Sequence, residues 1–307
     1  MAQRFPNVAV IGATGNLGLP ILRALSLAQP PFKSITALTR SPPRDSSIFP
    51  EGTLVKTADY TSHNLLVSSL TGIDALIFAL GSAHIAATLP ILDAAVEAGV
   101  KFVVPSEYGL DSTNEVLRGY PNFRNKLRVQ DKLRDLKRQG KLDYTLVFVG
   151  LWIDYTGLGG FLVDVKGKKQ EVWDGGEQKV SLTSRGSIAT AIVGVLQGKV
   201  EGKTEVRVRD VNMSQRRLRE ICEEVVGGDG WVVTELDTGE RVRLAREKFD
   251  FGIQGADDAY SFVKRGAALG VGSLWAEGED DSAALGLKEW SEVEVREFVR
   301  GYVAGEV

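Results

Sequence analysis

The chain has 307 residues, 43% hydrophobic and 25% charged, with a formal net charge of −3. That balance belongs to ordinary globular proteins and excludes intrinsic disorder, collagen and simple fibrous repeats. The slight acidity argues against a nucleic-acid binder, whose domain is usually basic. No apolar run approaches the ~20 residues that a membrane span requires, so no membrane partner is expected. One cysteine, Cys222, and two histidines, His63 and His84, are present. They permit no intrachain disulfide and are too few for a zinc site, so no metal is expected. With no signal-peptide pattern in Met1–Pro6, the expected location is cytoplasmic.

The first element is the apolar strand Val8-Ala9-Val10-Ile11, which runs directly into Gly12-Ala13-Thr14-Gly15-Asn16-Leu17-Gly18. The glycines fall as G-x-x-G-x-x-G, and Leu17, Ile21, Leu22 and Leu25 follow at helical spacing. Gly12 suits the tight turn, Gly15 a close backbone approach to a pyrophosphate, and Gly18 close helix–strand packing. The helix N-terminus adds unpaired N–H groups and its dipole. A glycine-rich turn without a ligand would look the same in isolation; the strand–turn–helix context points to a dinucleotide. Gly12, Thr14, Gly15, Asn16, Leu17 and Gly18 are the expected phosphate contacts.

The second strand, Ile35–Leu38, ends at Thr39-Arg40-Ser41, with Arg44 close behind. An NAD site usually places an acidic residue here; arginine instead suits a 2′-phosphate. Arg40 and Ser41 therefore predict NADPH/NADP+ as cofactor. Strands follow at Leu54-Val55, Ala75–Phe78, Phe102–Val104 and Thr145–Phe148, with helical segments at about 61–71, 84–99 and 120–139. Several strands lack polar alternation, as in parallel sheets buried on both faces. The βαβα rhythm predicts an α/β, doubly wound parallel sheet of the Rossmann type. Leu80 and Gly81, after the fourth strand, are expected at the adenosine and ribose half of the cofactor. His84 reads as a surface or capping residue.

Beyond Gly150 the rhythm loosens. Residues 1–150 read as the cofactor-binding domain and 151–307 as a smaller intertwined α+β substrate lobe, with parts near 181–210 returning to the sheet. A helix over 186–197, a strand at Thr204–Val208 and a helix capped by Ser214 and ending near Val226 are expected. Ser291 and Glu294 have capping-box spacing for a last helix through Val303. Glu277–Asp281 reads as a solvated acidic loop, and Cys222, beside Leu218 and Val225, as core.

The Tyr-x-x-x-Lys pair common in short-chain reductases is absent from the expected region: Asn122 precedes Lys126 by four positions and Arg128 precedes Lys132. Tyr120 lies about 240° around a helix from Lys126. In its place stand Pro105-Ser106-Glu107-Tyr108-Gly109 and Asn125–Leu133. With Gly12–Gly18, Arg40, Asp59-Tyr60, Gly72–Ala75 and Ala98–Lys101, these make the chain resemble the isoflavone reductase-like family of atypical short-chain dehydrogenases and its NmrA-like relatives. The resemblance implies an NADPH-dependent reductase of a phenolic or conjugated aromatic compound. It also implies that Lys126, with Val129, Gln130 and Asp131 in register, is the catalytic base or acid near the nicotinamide ribose. Without the resemblance, Lys126 would read as a surface lysine of a basic helix.

Ser106, at a strand's carboxyl end, is expected on the nicotinamide side. Glu107 either positions Lys126 or caps the following loop, with the loop slightly favoured. Trp152, Tyr155 and Phe161 form an aromatic wall or core, and Tyr108, Trp152 and Tyr155 are candidate substrate contacts. Tyr108 replaces a phenylalanine frequent in the family, and Gly150 stands where plant members carry a polar residue. A second reading is a catalytically silent NADP(H) sensor acting through a protein partner. Monomer and homodimer both remain open.

Overall fold

The computed structural model describes residues 3–41, 45–250 and 255–306; Arg44 lies outside them. Six strands, β1 (Asn7–Ile11), β2 (Ser34–Thr39), β3 (Leu54–Thr57), β4 (Ala75–Phe78), β5 (Phe102–Val104) and β6 (Asp143–Tyr144), form one sheet. Its order is β3-β2-β1-β4-β5-β6, with every pair parallel. The order reverses between β1 and β4, and open α/β sheets bind ligands in the crevice at that switch point.

Five helices connect these strands: α1 (Gly18–Ser26), α2 (His63–Leu70), α3 (Thr88–Glu97), the short α4 (Glu115–Arg118) and α5 (Arg124–Arg138). Alternation along the strands divides the core. Val8, Val10, Ala75 and Ile77 pack with Ile21, Leu22 and Leu25 of α1, while Ala9, Ile11, Leu76 and Phe78 pack with side chains of α2, α3 and α5. Burial on both faces holds for the central strands only. β3 is the sheet edge, and Leu54 and Val55 are 51% and 38% exposed.

The later elements are β7 (Leu146–Phe148), β8 (Leu151–Trp152), β9 (Lys169–Trp173), β10 (Lys179–Thr183), α6 (Arg185–Leu196), β11 (Glu205–Arg207) and β12 (Val211–Ser214). Then come α7 (Gln215–Val226), β13 (Val232–Leu236), α8 (Thr238–Asp250), α9 (Ala256–Ala268), α10 (Ser282–Leu285) and α11 (Glu292–Ala304). The strand expected at Thr145–Phe148 is β7, which pairs in parallel with β11; the sixth strand of the central sheet, β6, lies just before it and pairs with β5. α6 packs on α1, and its Ile188, Ile192 and Leu196 complete the first core.

Both expected caps form: the Ser214 side chain accepts from Arg217 N–H, and Ser291 with Glu294 makes a full capping box. Cys222 is fully buried, and burial pushes its thiol up to about 12. His84 is exposed within a 3₁₀ turn, Ser82–Ala87, whose first residue has no side-chain cap. The segment immediately before α5 is another 3₁₀ turn, Pro121–Phe123.

The acidic run is not a solvated loop at its C-terminal end. Asp281 is 9% exposed, accepts from Arg207 N–H at 3.0 Å and pairs with Lys203. Asp280 pairs with buried Arg209 at 3.1 Å. These carboxylates pair with cations on either side of β11, Lys203 before it and Arg209 after it, which charge patterning along the chain does not reveal. Among the described residues, no helix is long and apolar enough to cross a membrane.

The start of α6 carries a buried acid. The Ser184 side chain caps the helix by accepting from Ser187 N–H, and Asp210 Oδ2 accepts from Ser184 N–H at 2.7 Å. Asp210 is fully buried and its Oδ1 has no partner. Burial pushes its carboxyl from 3.8 up to about 6, against the hydrogen bonds from Ser187 and Ser184. A raised acid favours folding most when protonated, so its contribution is complete below pH 3.8 and is lost as the pH rises through about 6. Asp210→Asn is expected to flatten stability across that window and to stabilise the protein by up to ~2 kcal/mol at neutral pH. Denaturant titrations across the pH range check this; an unchanged slope would contradict it.

Candidate active site

The carboxyl ends of β1, β4 and β5 converge on the crevice. Gly12 has φ +80, and a Cβ there would stand 2.4 Å from the Ala79 carbonyl oxygen. A Cβ on Gly18 would stand 2.1 Å from the Gly12 carbonyl oxygen. Gly15 N–H closes the turn on that same oxygen at 2.9 Å. No acceptor among the described residues takes the N–H groups of Thr14, Asn16 or Leu17. α1 also begins without a side-chain cap or an acidic residue in its first turn. Unpaired amides at an uncapped helix N-terminus fit an anionic pyrophosphate.

Arg40 and Ser41 are exposed just past β2, and Arg40 makes no ion pair among the described residues. Tyr60 donates to the Leu38 carbonyl at 3.2 Å. Burial pushes its phenol up to about 12, opposed by the nearby Arg40 charge. Leu80 and Gly81 follow β4 at the switch point. The Leu80 N–H donates to Ser106 Oγ at 2.9 Å, so this amide is committed within the protein. Ser106 keeps its own hydroxyl proton to donate.

Lys126 is not a surface lysine; its side chain is 13% exposed and its Nζ stands 3.4 Å from Glu107 Oε2. It also donates to the Glu107 backbone carbonyl. The Glu107 carboxylate, 1% exposed, accepts from Ser112 Oγ at 2.8 Å and from Gln130 Nε2 at 2.9 Å. Lys126 and Gln130 share one face of α5 by their four-residue spacing. Glu107 therefore both positions Lys126 and ties down the following loop through Ser112, which corrects the preference for the loop alone. Lys132 pairs with Asp93 of α3 at 2.6 Å and is committed elsewhere.

The aromatic candidates separate. Tyr108 has φ +29 and its ring lies in the core, with a buried hydroxyl that lacks a partner. It is not placed as a substrate contact; burial pushes its phenol upward, aided by the Glu107 charge. Its carbonyl accepts from Trp152 Nε1 at 2.8 Å, which fixes the half-buried Trp152. Tyr155 is 49% exposed, with the Arg185 guanidinium 5.5 Å over its ring. Phe161 packs on Trp173 and Tyr260, so it belongs to the core of the C-terminal half. Gly150 has φ +65, and a Cβ would stand 2.1 Å from the Ser181 carbonyl oxygen, which leaves no room for the polar residue of plant members. An open depression lined by Asp131, Arg134, Asp135, Lys137, Arg138 and Tyr144 shares no residue with this site.

Sequence reasoning missed Ser112, Gln130 as a partner of Glu107, and the pair of Asp154 with Arg185 at 3.0 Å. The i, i+4 spacing of Lys126 and Gln130 was a usable signal for the first group. Nothing local announced the Asp154–Arg185 pair.

The switch-point crevice and its glycine turn define a Rossmann-type α/β protein. The NmrA-like family model matches residues 6–211, and the chain belongs to that family. It is 30% identical over 304 residues to Oxidoreductase poxI of Penicillium oxalicum, covering 92% of this chain and 90% of that one. In fold it is similar to isoflavone reductase, with a TM-score of 0.71 at 18% identity over 97% of this chain and 99% of that one. It is likewise similar to the leucoanthocyanidin reductase–NADPH complex of Vitis vinifera, with a TM-score of 0.73 at 17% identity and the same two coverages.

Removing the shared acceptor should loosen this site. Glu107→Ala is expected to destabilise the fold by roughly 2–4 kcal/mol, and Glu107→Gln by less, because the amide oxygen still accepts one hydrogen bond. Urea denaturation ranks them; equal stability of both variants and the parent would show that the carboxylate holds nothing.

Proposed function

We propose that the chain is an NADPH-dependent reductase of a conjugated or phenolic aromatic small molecule, with Lys126 as its proton donor or acceptor. The observation that carries this reading is the Glu107–Lys126 pair, in which a buried carboxylate holds one amine at the carboxyl end of the parallel sheet. The glycine turn opens onto the same edge. The name of the Penicillium relative, an oxidoreductase, and the NADPH bound in the leucoanthocyanidin reductase support it.

Residues 1–150 form the dinucleotide-binding part and 151–307 the substrate part. Gly12, Gly15 and Gly18 shape the turn, and the amides of Thr14, Asn16 and Leu17 hold the pyrophosphate. Arg40 and Ser41 hold the 2′-phosphate; Leu80 and Gly81 flank the adenosine half and Ser106 the nicotinamide side. When bound, the cofactor supplies a hydride to an electron-poor carbon of the substrate. Lys126 Nζ exchanges the accompanying proton, directly or through a water molecule. Glu107 keeps that amine in place, while Trp152 and Tyr155 offer flat surfaces to an aromatic ring.

Lys126→Ala is expected to lower turnover 10²–10⁴-fold, the usual weight of general acid–base catalysis, and to leave NADPH affinity unchanged. Steady-state NADPH oxidation over a panel of quinones and phenylpropanoids measures the first, and fluorescence titration the second. Undiminished turnover would remove Lys126 from the chemistry. A parent protein that binds NADPH but oxidises it with no substrate in the panel would favour the sensor reading.

A further inference from the structure

One guanidinium joins the glycine turn to the C-terminal half. Arg185 opens α6, and both its backbone N–H and its Nε donate to Asp154 Oδ2, at 2.9 and 3.0 Å. Asp154 Oδ1 accepts from Tyr155 N–H at 2.8 Å, and the Asp154 side chain is 5% exposed. Asp154 and Tyr155 belong to a π-helical turn, Ile153–Leu158, that leads out of β8. From its other end, Arg185 Nη1 donates to the Asn16 carbonyl at 3.4 Å. Among the described residues, this is the one side-chain hydrogen bond that reaches residues 12–18 from beyond residue 150.

We infer that Arg185 is a positioning residue that couples cofactor binding at the glycine turn to the turn Ile153–Leu158, which carries Tyr155; the inference rests on the reductase reading above. In a trans peptide the C=O and N–H point in opposite directions. Holding the Asn16 carbonyl on Arg185 therefore turns the Leu17 N–H away from the guanidinium and leaves it available at the start of α1. The same guanidinium stacks over Tyr155 and pins Asp154. A phosphate that orders the glycine turn thus also orders the Tyr155 turn, and by reciprocity an occupant against Tyr155 tightens the cofactor. Lysine cannot replace arginine here, because a single ammonium does not offer a fork that spans a carboxylate and a separate carbonyl.

Amide hydrogen exchange, read by mass spectrometry on the full chain with and without NADPH, tests this. In the parent, NADPH is expected to slow exchange both in the peptide covering 12–18 and in that covering 153–158. In Arg185→Met and Arg185→Lys, protection of 12–18 should persist at saturating NADPH while that of 153–158 disappears. Affinity for NADPH should fall about 5- to 10-fold in Arg185→Met, within the usual range of coupling between sites. Asp154→Asn, which keeps one acceptor oxygen and changes no residue of the glycine turn, should likewise lose the protection of 153–158; it serves if Arg185→Met does not fold. A merely structural role would lower the melting temperature and leave the ligand-induced protection in both peptides. Protection of 12–18 alone in the parent, or of both peptides in the variants, would overturn the coupling. Protection of neither peptide in the parent would instead overturn the cofactor reading on which it rests.

Discussion

A carboxylate shut away from water needs a cation and donors to hold it, since an isolated buried charge costs several kcal/mol. Glu107, with its side chain 1% exposed, imposes that requirement at the carboxyl end of the central sheet. Ser112 comes from the loop after it, and Lys126 and Gln130 from one face of α5. Val129 and Leu133, on the inner side of the same helix, are buried against the sheet. A helix rich in lysine and arginine therefore has a fixed rotation: its apolar residues face the core, and one amine is directed to the acid. The loop, the helix and the amine form a single unit, and no part of it can shift without leaving the carboxylate short of a partner.

The C-terminal half is fastened to that unit by further charges that cross long distances in sequence. Arg207 pairs with Asp111, on the loop that follows Glu107, and its backbone N–H donates to Asp281. Arg209 is paired with Asp280, and the Ser282 hydroxyl accepts from the Arg209 backbone N–H at 2.9 Å. Trp275 N–H donates to Ser181 Oγ at 3.1 Å, and its ring presses on Gly150. Exposed ion pairs elsewhere on the surface add little. These buried ones matter because removing either partner would strand the other. They hold the segment from Gly272 to Leu287 against β10, β11 and α6.

The central sheet was legible because its signals are local. Apolar runs separated by helix-length segments, three glycines at fixed spacing, and the serines at 214 and 291 each act within a few residues. Lys126 was singled out through its register in a family pattern, whereas its buried pairing with Glu107 was not legible. Glu107 was ambiguous because one carboxylate serves the loop and the lysine together. Asp280 and Asp281 looked solvated because their cations lie more than 70 positions earlier. Asp154, Arg185 and Asn16 were invisible as a group, since separations of 31 and 169 residues carry no periodic signal. Tyr108 stood among the candidate substrate contacts. Its positive φ turns the ring into the core instead, and that is a property of the backbone after β5.

Equilibrium titration of the purified chain with NADPH and with NADH, followed by nicotinamide fluorescence, most directly tests whether the glycine turn and Arg40 together form a cofactor site. Charge-assisted hydrogen bonds to a 2′-phosphate contribute about 1.5–3 kcal/mol, so NADPH should bind roughly 10–100-fold more tightly than NADH. Equal affinities would remove Arg40 from the site, and binding of neither nucleotide would contradict the assignment of the crevice as a whole.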